Sequence, residues 1–207
     1  MKKKLAGLGL VAGALVVAGH VQAQTAEIKV NGQIVPNDAC QLTISGGGVY
    51  DFGTVKARSD FVAGLDDKTL ALTISCNAPT KFALRALDNR PDTVAGNPGY
   101  AGIFGLGKGM AGFYFLNLRN PVGDGNGLAV LRSYSNSGVW NPEYVDALSS
   151  DSYRKAFAEK GSVVPGAYKT ITADLSVQAW INKWSELDFS NGDIELDGSA
   201  TLELLYL

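Results

Sequence analysis

The stretch Ile171-Thr172-Ala173-Asp174-Leu175-Ser176-Val177-Gln178-Ala179-Trp180-Ile181 decides the fold class. Apolar residues stand at every second position and polar ones at most of those between. Side chains alternate across a strand, so a period of two places one apolar row against a core and leaves the other outside. The same alternation returns at Leu70, Leu72, Ile74 and Cys76, at Ala200, Leu202, Leu204 and Tyr206, and near the start at Ala26, Ile28, Val30, Gly32 and Ile34. Shorter strands are expected over Gln41–Ile44, Val49–Phe52, Phe82–Leu87, Phe113–Leu118 and Leu128–Ser133. Glycine, proline and asparagine punctuate them, at Gly46-Gly47-Gly48, Asn97-Pro98-Gly99, Pro121 to Gly127 and Ser190-Asn191-Gly192.

One segment departs from this pattern. Ser150 and Asp151 stand where they could cap a short helix through Tyr153, Ala156 and Phe157, ended by Gly161. The expectation is therefore an all-β, immunoglobulin-like sandwich with one short helix in an insertion.

The chain opens with Met1 and three lysines, followed by an apolar run from Leu5 to Gly19 and Val21-Gln22-Ala23. That order is a secretory signal, and the run is shorter than the roughly 20 residues of a spanning helix. Cleavage is expected after Ala23, which gives residues 1–23 as signal, 24–38 as an extended arm and 39–207 as the sandwich. Removing the signal also removes His20, the only histidine, and makes a chain of net charge −2 more acidic. Such a chain offers no basic surface for nucleic acid and no histidine for acid–base chemistry. In an oxidising compartment the two cysteines, Cys40 and Cys76, read as a disulfide.

Three stretches carry a resemblance. They are Asn31-Gly32-Gln33-Ile34-Val35-Pro36-Asn37-Asp38-Ala39-Cys40, then Leu72-Thr73-Ile74-Ser75-Cys76, then Gly198 to Leu207 with Tyr206 next to last. Together they resemble the pilin subunits of the chaperone–usher pathway, and more narrowly an uncharacterised fimbrial-like branch allied to them. Ile194 stands, between Gly192 and Gly198, where many pilins carry glycine.

The resemblance implies a sandwich short of its last strand, whose apolar groove is covered first by a strand of a periplasmic chaperone. At an outer-membrane usher the N-terminal arm of the next subunit then replaces that strand. Ala26, Ile28, Val30, Gly32 and Ile34 would be the donor face. Ala200, Leu202, Leu204, Tyr206 and Leu207 would form the strand that borders the groove and meets the chaperone. The implied place of work is the periplasm in transit and then a surface fimbrium, with neighbouring subunits as partners. Neither an enzyme activity, a metal nor a cofactor is expected. On the residues alone, the alternating arm could also be the first strand of a self-contained secreted sandwich that binds a ligand such as carbohydrate.

Other motifs give way to plainer readings. Gly102 to Lys108 approaches a phosphate-binding loop, but Gly109 stands where Ser or Thr would hold magnesium. Gly107 to Gly112 fits the dinucleotide fingerprint by letter and is followed by a strand pattern instead of a helix. Asp124-Gly125-Asn126-Gly127 lacks the downstream glutamate of a calcium loop. Trp140, Trp180 and Trp184 with Tyr144 are weighed as a sugar platform, and Glu195 with Asp197 as an acid pair; packing and solvated charge are the simpler roles.

Overall fold

Eleven strands follow one another in chain order in a computed structural model that describes residues 40–56, 60, 62–97, 99–134 and 137–207. They are β1 (Cys40–Ile44), β2 (Ala63–Gly64), β3 (Lys68–Thr80), β4 (Phe82–Asp88), β5 (Phe104–Gly105), β6 (Gly112–Gly123), β7 (Asn126–Tyr134), β8 (Asn141–Pro142), β9 (Tyr153–Glu159), β10 (Tyr168–Ile181) and β11 (Ala200–Tyr206). The expected signal over 1–23 and the arm over 24–38 lie outside the described residues.

Two antiparallel layers result. One runs β1-β3-β10-β6, with β2 beside the end of β10 and β5 beside β6. The other runs β11-β4-β9-β7, with β8 beside β7. The alternation in the quoted stretch has its expected cause. Ile171, Ala173, Leu175, Val177, Ala179 and Ile181 are all buried, while Thr172 lies outside. They meet Leu72 and Ile74 of β3, Leu116 and Leu118 of β6, and, from the facing layer, Phe82, Leu84, Leu128 and Phe157. Interdigitation of two inner faces in this way is the core of a β-sandwich.

The layers are joined at a hairpin. Val122 and Gly123 pair with Gly127 and Asn126 across Asp124 (φ 49°) and Gly125 (φ 86°). Two consecutive left-handed residues make the turn whose twist suits a two-residue hairpin. The Asp124 carboxylate accepts the N–H groups of Lys169 (3.1 Å) and Thr170 (2.8 Å), which pins the turn to β10. A turn therefore occupies the segment weighed as a calcium loop.

The short helix expected from Ser150 to Gly161 does not form, and β9 takes its place. Ser150 donates its hydroxyl to the Ile103 carbonyl (2.7 Å), and the Asp151 carboxylate accepts the Tyr153 N–H. Lys155, Ala156, Phe157 and Ala158 are buried in succession, so both faces of β9 are covered, and its edges pair with β7 and β4. A strand with both faces covered reads as a continuous run without alternation, and tertiary pairing overrides a weak capping signal. The strand expected over Val49–Phe52 is also absent. Gly46, Gly47 and Gly48 all have left-handed φ (62°, 67° and 75°) and turn the chain away from β3, so residues 49–52 run without a ladder partner among the described residues.

One flank of the sandwich, where β6 faces β7, is closed by the chain itself. Residues 143–148 cross between the layers, with Glu143 N–H on the Val130 carbonyl, Leu118 N–H on Asp146 and Leu148 N–H on Leu116. The Glu143 side chain fastens this crossing from within. One of its oxygens accepts the N–H groups of Tyr144 (2.9 Å) and Val145 (3.0 Å), and the other meets the Lys155 ammonium, with both side chains almost fully buried.

Candidate functional site

The opposite flank, where β1 faces β11, has a different construction. β1 pairs with β3 and β11 pairs with β4, and among the described residues neither has a further strand at its other edge. At one end the two edges touch: the Cys40 N–H donates to the Tyr206 hydroxyl at 2.8 Å. Away from that contact a cleft opens between Ile44 of β1 and Ala200 and Leu202 of β11.

Both walls follow from the sequence pattern. Leu202 pairs with Ala86, Leu204 with Leu84 and Tyr206 with Phe82, so the alternating row of β11 shares the inner face with buried residues of β4. Ala200, Leu202 and Leu204 pack against the core while remaining half-exposed. Leu42 and Ile44 do the same from β1. Leu42, Ile44, Ala200, Leu202 and Leu204 are thus partly buried on two edges that carry no further strand among the described residues.

The floor is the inner face of the other layer, with Tyr114, Leu116, Leu175 and Val177 beneath a hollow of about 360 Å³. This hollow shares Val49, Tyr50, Phe52, Leu196 and Asp197 with a wider one of about 890 Å³. The wider one continues between residues 49–56 and the segment from Trp184 to Asp197. Four carboxylates edge it, Asp51, Asp193, Glu195 and Asp197, with Lys56. Trp184 and Phe189 lie 4.9 Å apart between ring centres at its mouth and are about half-exposed.

Tyr50 reaches across the cleft. Its hydroxyl donates to the Leu175 carbonyl at 2.9 Å, and burial pushes its pKa up to about 12. Burial, helped by the Asp88 carboxylate, also pushes the Tyr114 hydroxyl well up, so both phenols are neutral apolar surface across the physiological range. Gly198 passes over Tyr114 so closely that a Cβ there would lie 2.8 Å from the ring. Changing Tyr50 to Phe is expected to cost about 1 kcal/mol, the worth of one part-buried hydrogen bond, and to leave the fold intact. Urea midpoints of the two proteins check this.

The remaining site residues fall as follows. Cys40 and Cys76 stand opposite each other in the β1–β3 register and are joined by a disulfide. Tyr206 is partly exposed at the end of β11, and the Leu207 N–H donates to the Lys81 carbonyl at 3.1 Å. Ala26, Ile28, Val30, Gly32 and Ile34 lie outside the described residues. The aromatics weighed as a sugar platform do not meet. Trp180 stacks on Phe113, Trp140 lies under Arg154 and Trp184 stands by Phe189. Asp197 pairs with Arg90 at 3.1 Å and not with Glu195. Gly107 to Gly112 leads into β6, as the strand pattern after it required. Among the described residues no cluster of metal-ligating side chains occurs.

Sequence reasoning did not find Tyr50, Phe52, Leu106 and Leu196 as cleft residues. They lie outside the regular strands, so periodicity carries no signal for them.

Residues 28–112 match the family described as "Protein of unknown function (DUF1120)". That span takes in both cysteines and runs to the start of β6. The chain is also similar to Protein GltF of Escherichia coli (strain K12). The identity is 25% over 255 aligned residues, covering 100% of this chain and 99% of that protein. Neither description states an activity.

Proposed function

We propose that this chain is a structural subunit of a surface fimbria, exported and then assembled by exchange of β-strands. A periplasmic chaperone and an outer-membrane usher serve as its assembly partners. The observation that supports this reading is the cleft between β1 and β11. It is lined by partly buried apolar residues of both edges, Ile44, Ala200 and Leu202, and floored by buried side chains. A strand laid in such a cleft gains main-chain hydrogen bonds along the edge and buries alternate side chains.

The alternating segment Ala26, Ile28, Val30, Gly32, Ile34 of a neighbouring copy has the matching period. Its three branched aliphatic residues contribute roughly 1.5–3 kcal/mol each on burial, before the costs of association. Gly32 lets the backbone approach where no side chain fits. In this reading the site is a polymerisation contact and the chain carries out no chemical step.

Two variants test the proposal. Deleting Gln24 to Gln33 is expected to leave a folded domain that still binds a chaperone but no longer polymerises, as read by gel filtration and electron microscopy. A truncated protein that loses its fold would instead identify the arm as part of a self-contained sandwich. Gly32→Leu is expected to block exchange between copies while secretion of the monomer continues. Fibres formed at the normal rate by this variant would remove the arm from the cleft.

A further inference from the structure

We infer that the arm of a neighbouring copy lies antiparallel to β11 in one register, the one that sets Lys29 opposite Glu203, and that this charge pair selects the register. The inference rests on the strand-exchange reading above and adds which residues meet.

Glu203 sits on the outer face of β11, directly opposite Arg85 of β4, which donates to it through Nε at 2.9 Å. Its side chain is one-third exposed and lies on the edge strand, so a cation arriving on the other side completes an alternating row of charge. In the arm, Glu27, Lys29, Asn31 and Gln33 form the face away from the apolar row. Lys29 is the cation among them.

Every strand pair in this layer is antiparallel. With Lys29 opposite Glu203, antiparallel addition sets Ala26 beside Tyr206, where it takes the place of the Cys40–Tyr206 contact, Ile28 beside Leu204, Val30 beside Leu202, Gly32 beside Ala200 and Ile34 beside Gly198. The two smallest pairs then match their surroundings. Gly32 and Ala200 meet in the part of the cleft that Tyr50 crosses, and Ile34 comes beside Gly198, where the wall carries no side chain.

Neighbouring registers fail on charge. A shift of two residues one way brings Glu27 opposite Glu203, and like charges directly opposite are unfavourable. A shift the other way puts Lys29 opposite Leu205 and Asn31 opposite Glu203. A shift of one residue turns the apolar row to solvent. Parallel addition with the same charge pair puts Ala26 beside Ala200 and Gly32 beside Tyr206, so the smallest side chains face both ends.

Cross-linking between two full-length chains tests this. One chain carries Asn31→Cys and the other Thr201→Cys; they are distinguished by mass, mixed and oxidised. Directly opposite residues of adjacent strands are close enough for a disulfide, so a linked heterodimer is expected from this pair. Lys29→Cys with Thr201→Cys and Gln33→Cys with Thr201→Cys report the two shifted registers, and Glu27→Cys with Thr201→Cys reports parallel addition. A link at any of those positions in preference to Asn31 overturns the register and leaves strand exchange standing. Failure of all four pairs to link overturns both.

Competition assembly of Lys29→Glu donors on normal acceptors is expected to fall about three-fold, the usual worth of an exposed cross-strand charge pair. On Glu203→Gln acceptors the same change is expected to have no effect. An equal fall on both acceptors would show that Lys29 acts elsewhere.

Discussion

Replacing Glu143 by leucine is expected to destabilise the protein by about 3–5 kcal/mol, because it leaves the Lys155 ammonium buried without its partner. The two side chains are 6% and 5% exposed, and Lys155 lies on β9 between β7 and β4, so water does not take over the lost contact. The same change also deprives the N–H groups of Tyr144 and Val145 of their acceptor and loosens the crossing over residues 143–148. Removing both charges together, as Glu143→Leu with Lys155→Met, is expected to be close to neutral. A buried pair returns little beyond its own desolvation when similar apolar volume replaces it. Urea unfolding of the single and double variants gives the comparison.

The pair also sets a dependence on acid. Burial alone would raise the Glu143 pKa. The hydrogen bond from Lys155 and those from the Val145 and Tyr144 N–H groups outweigh it, and they hold the carboxyl below its ordinary value. Burial lowers the Lys155 ammonium, with Glu143 opposing the shift. A carboxyl depressed in the fold contributes stability that is present above its unfolded pKa, about 4.3, and is lost as the pH falls through the folded value. The acid limb of the stability profile is therefore expected to begin below about pH 4, and Glu143→Leu to flatten it.

Loss of the disulfide is the second large effect. Cys40 and Cys76 are 36 residues apart in sequence, and the loop-entropy model gives about 3–4 kcal/mol for closing a loop of that length. With both cysteines changed to serine, Tm is expected to fall by roughly 10 °C in a chain of this size. The loss falls mainly on β1, whose strand pairing among the described residues is with β3 alone. Since β1 forms one wall of the cleft and Cys40 also bonds Tyr206, hydrogen exchange is expected to rise first along Cys40–Ile44. Equal loss of protection across both layers would place the disulfide's role elsewhere.

The sequence made the regular half of the molecule legible. β3, β10 and β11 alternate because each has one face in the core, and their limits lie within a few residues of the pattern. β9 was hidden because it is covered on both faces, which erases the period of two. The stretch from Val49 to Phe52 was misread because its apolar residues meet the cleft from a chain without ladder partners among the described residues. The side-chain hydroxyl of Tyr50, bonded to Leu175, supplies the anchor that a ladder gives elsewhere. The disulfide could be read from compartment and count. The bond between Cys40 and Tyr206 joins residues 166 apart, and no local spacing foretells it.

The two flanks of the sandwich are unlike: residues 143–148 seal one, and the other stays open between β1 and β11. Under the proposed strand exchange, a body with one slot and one leading segment to fill a neighbour's slot would grow only head to tail. Each copy would then take one follower and join one predecessor, and the product would be an unbranched row with polarity.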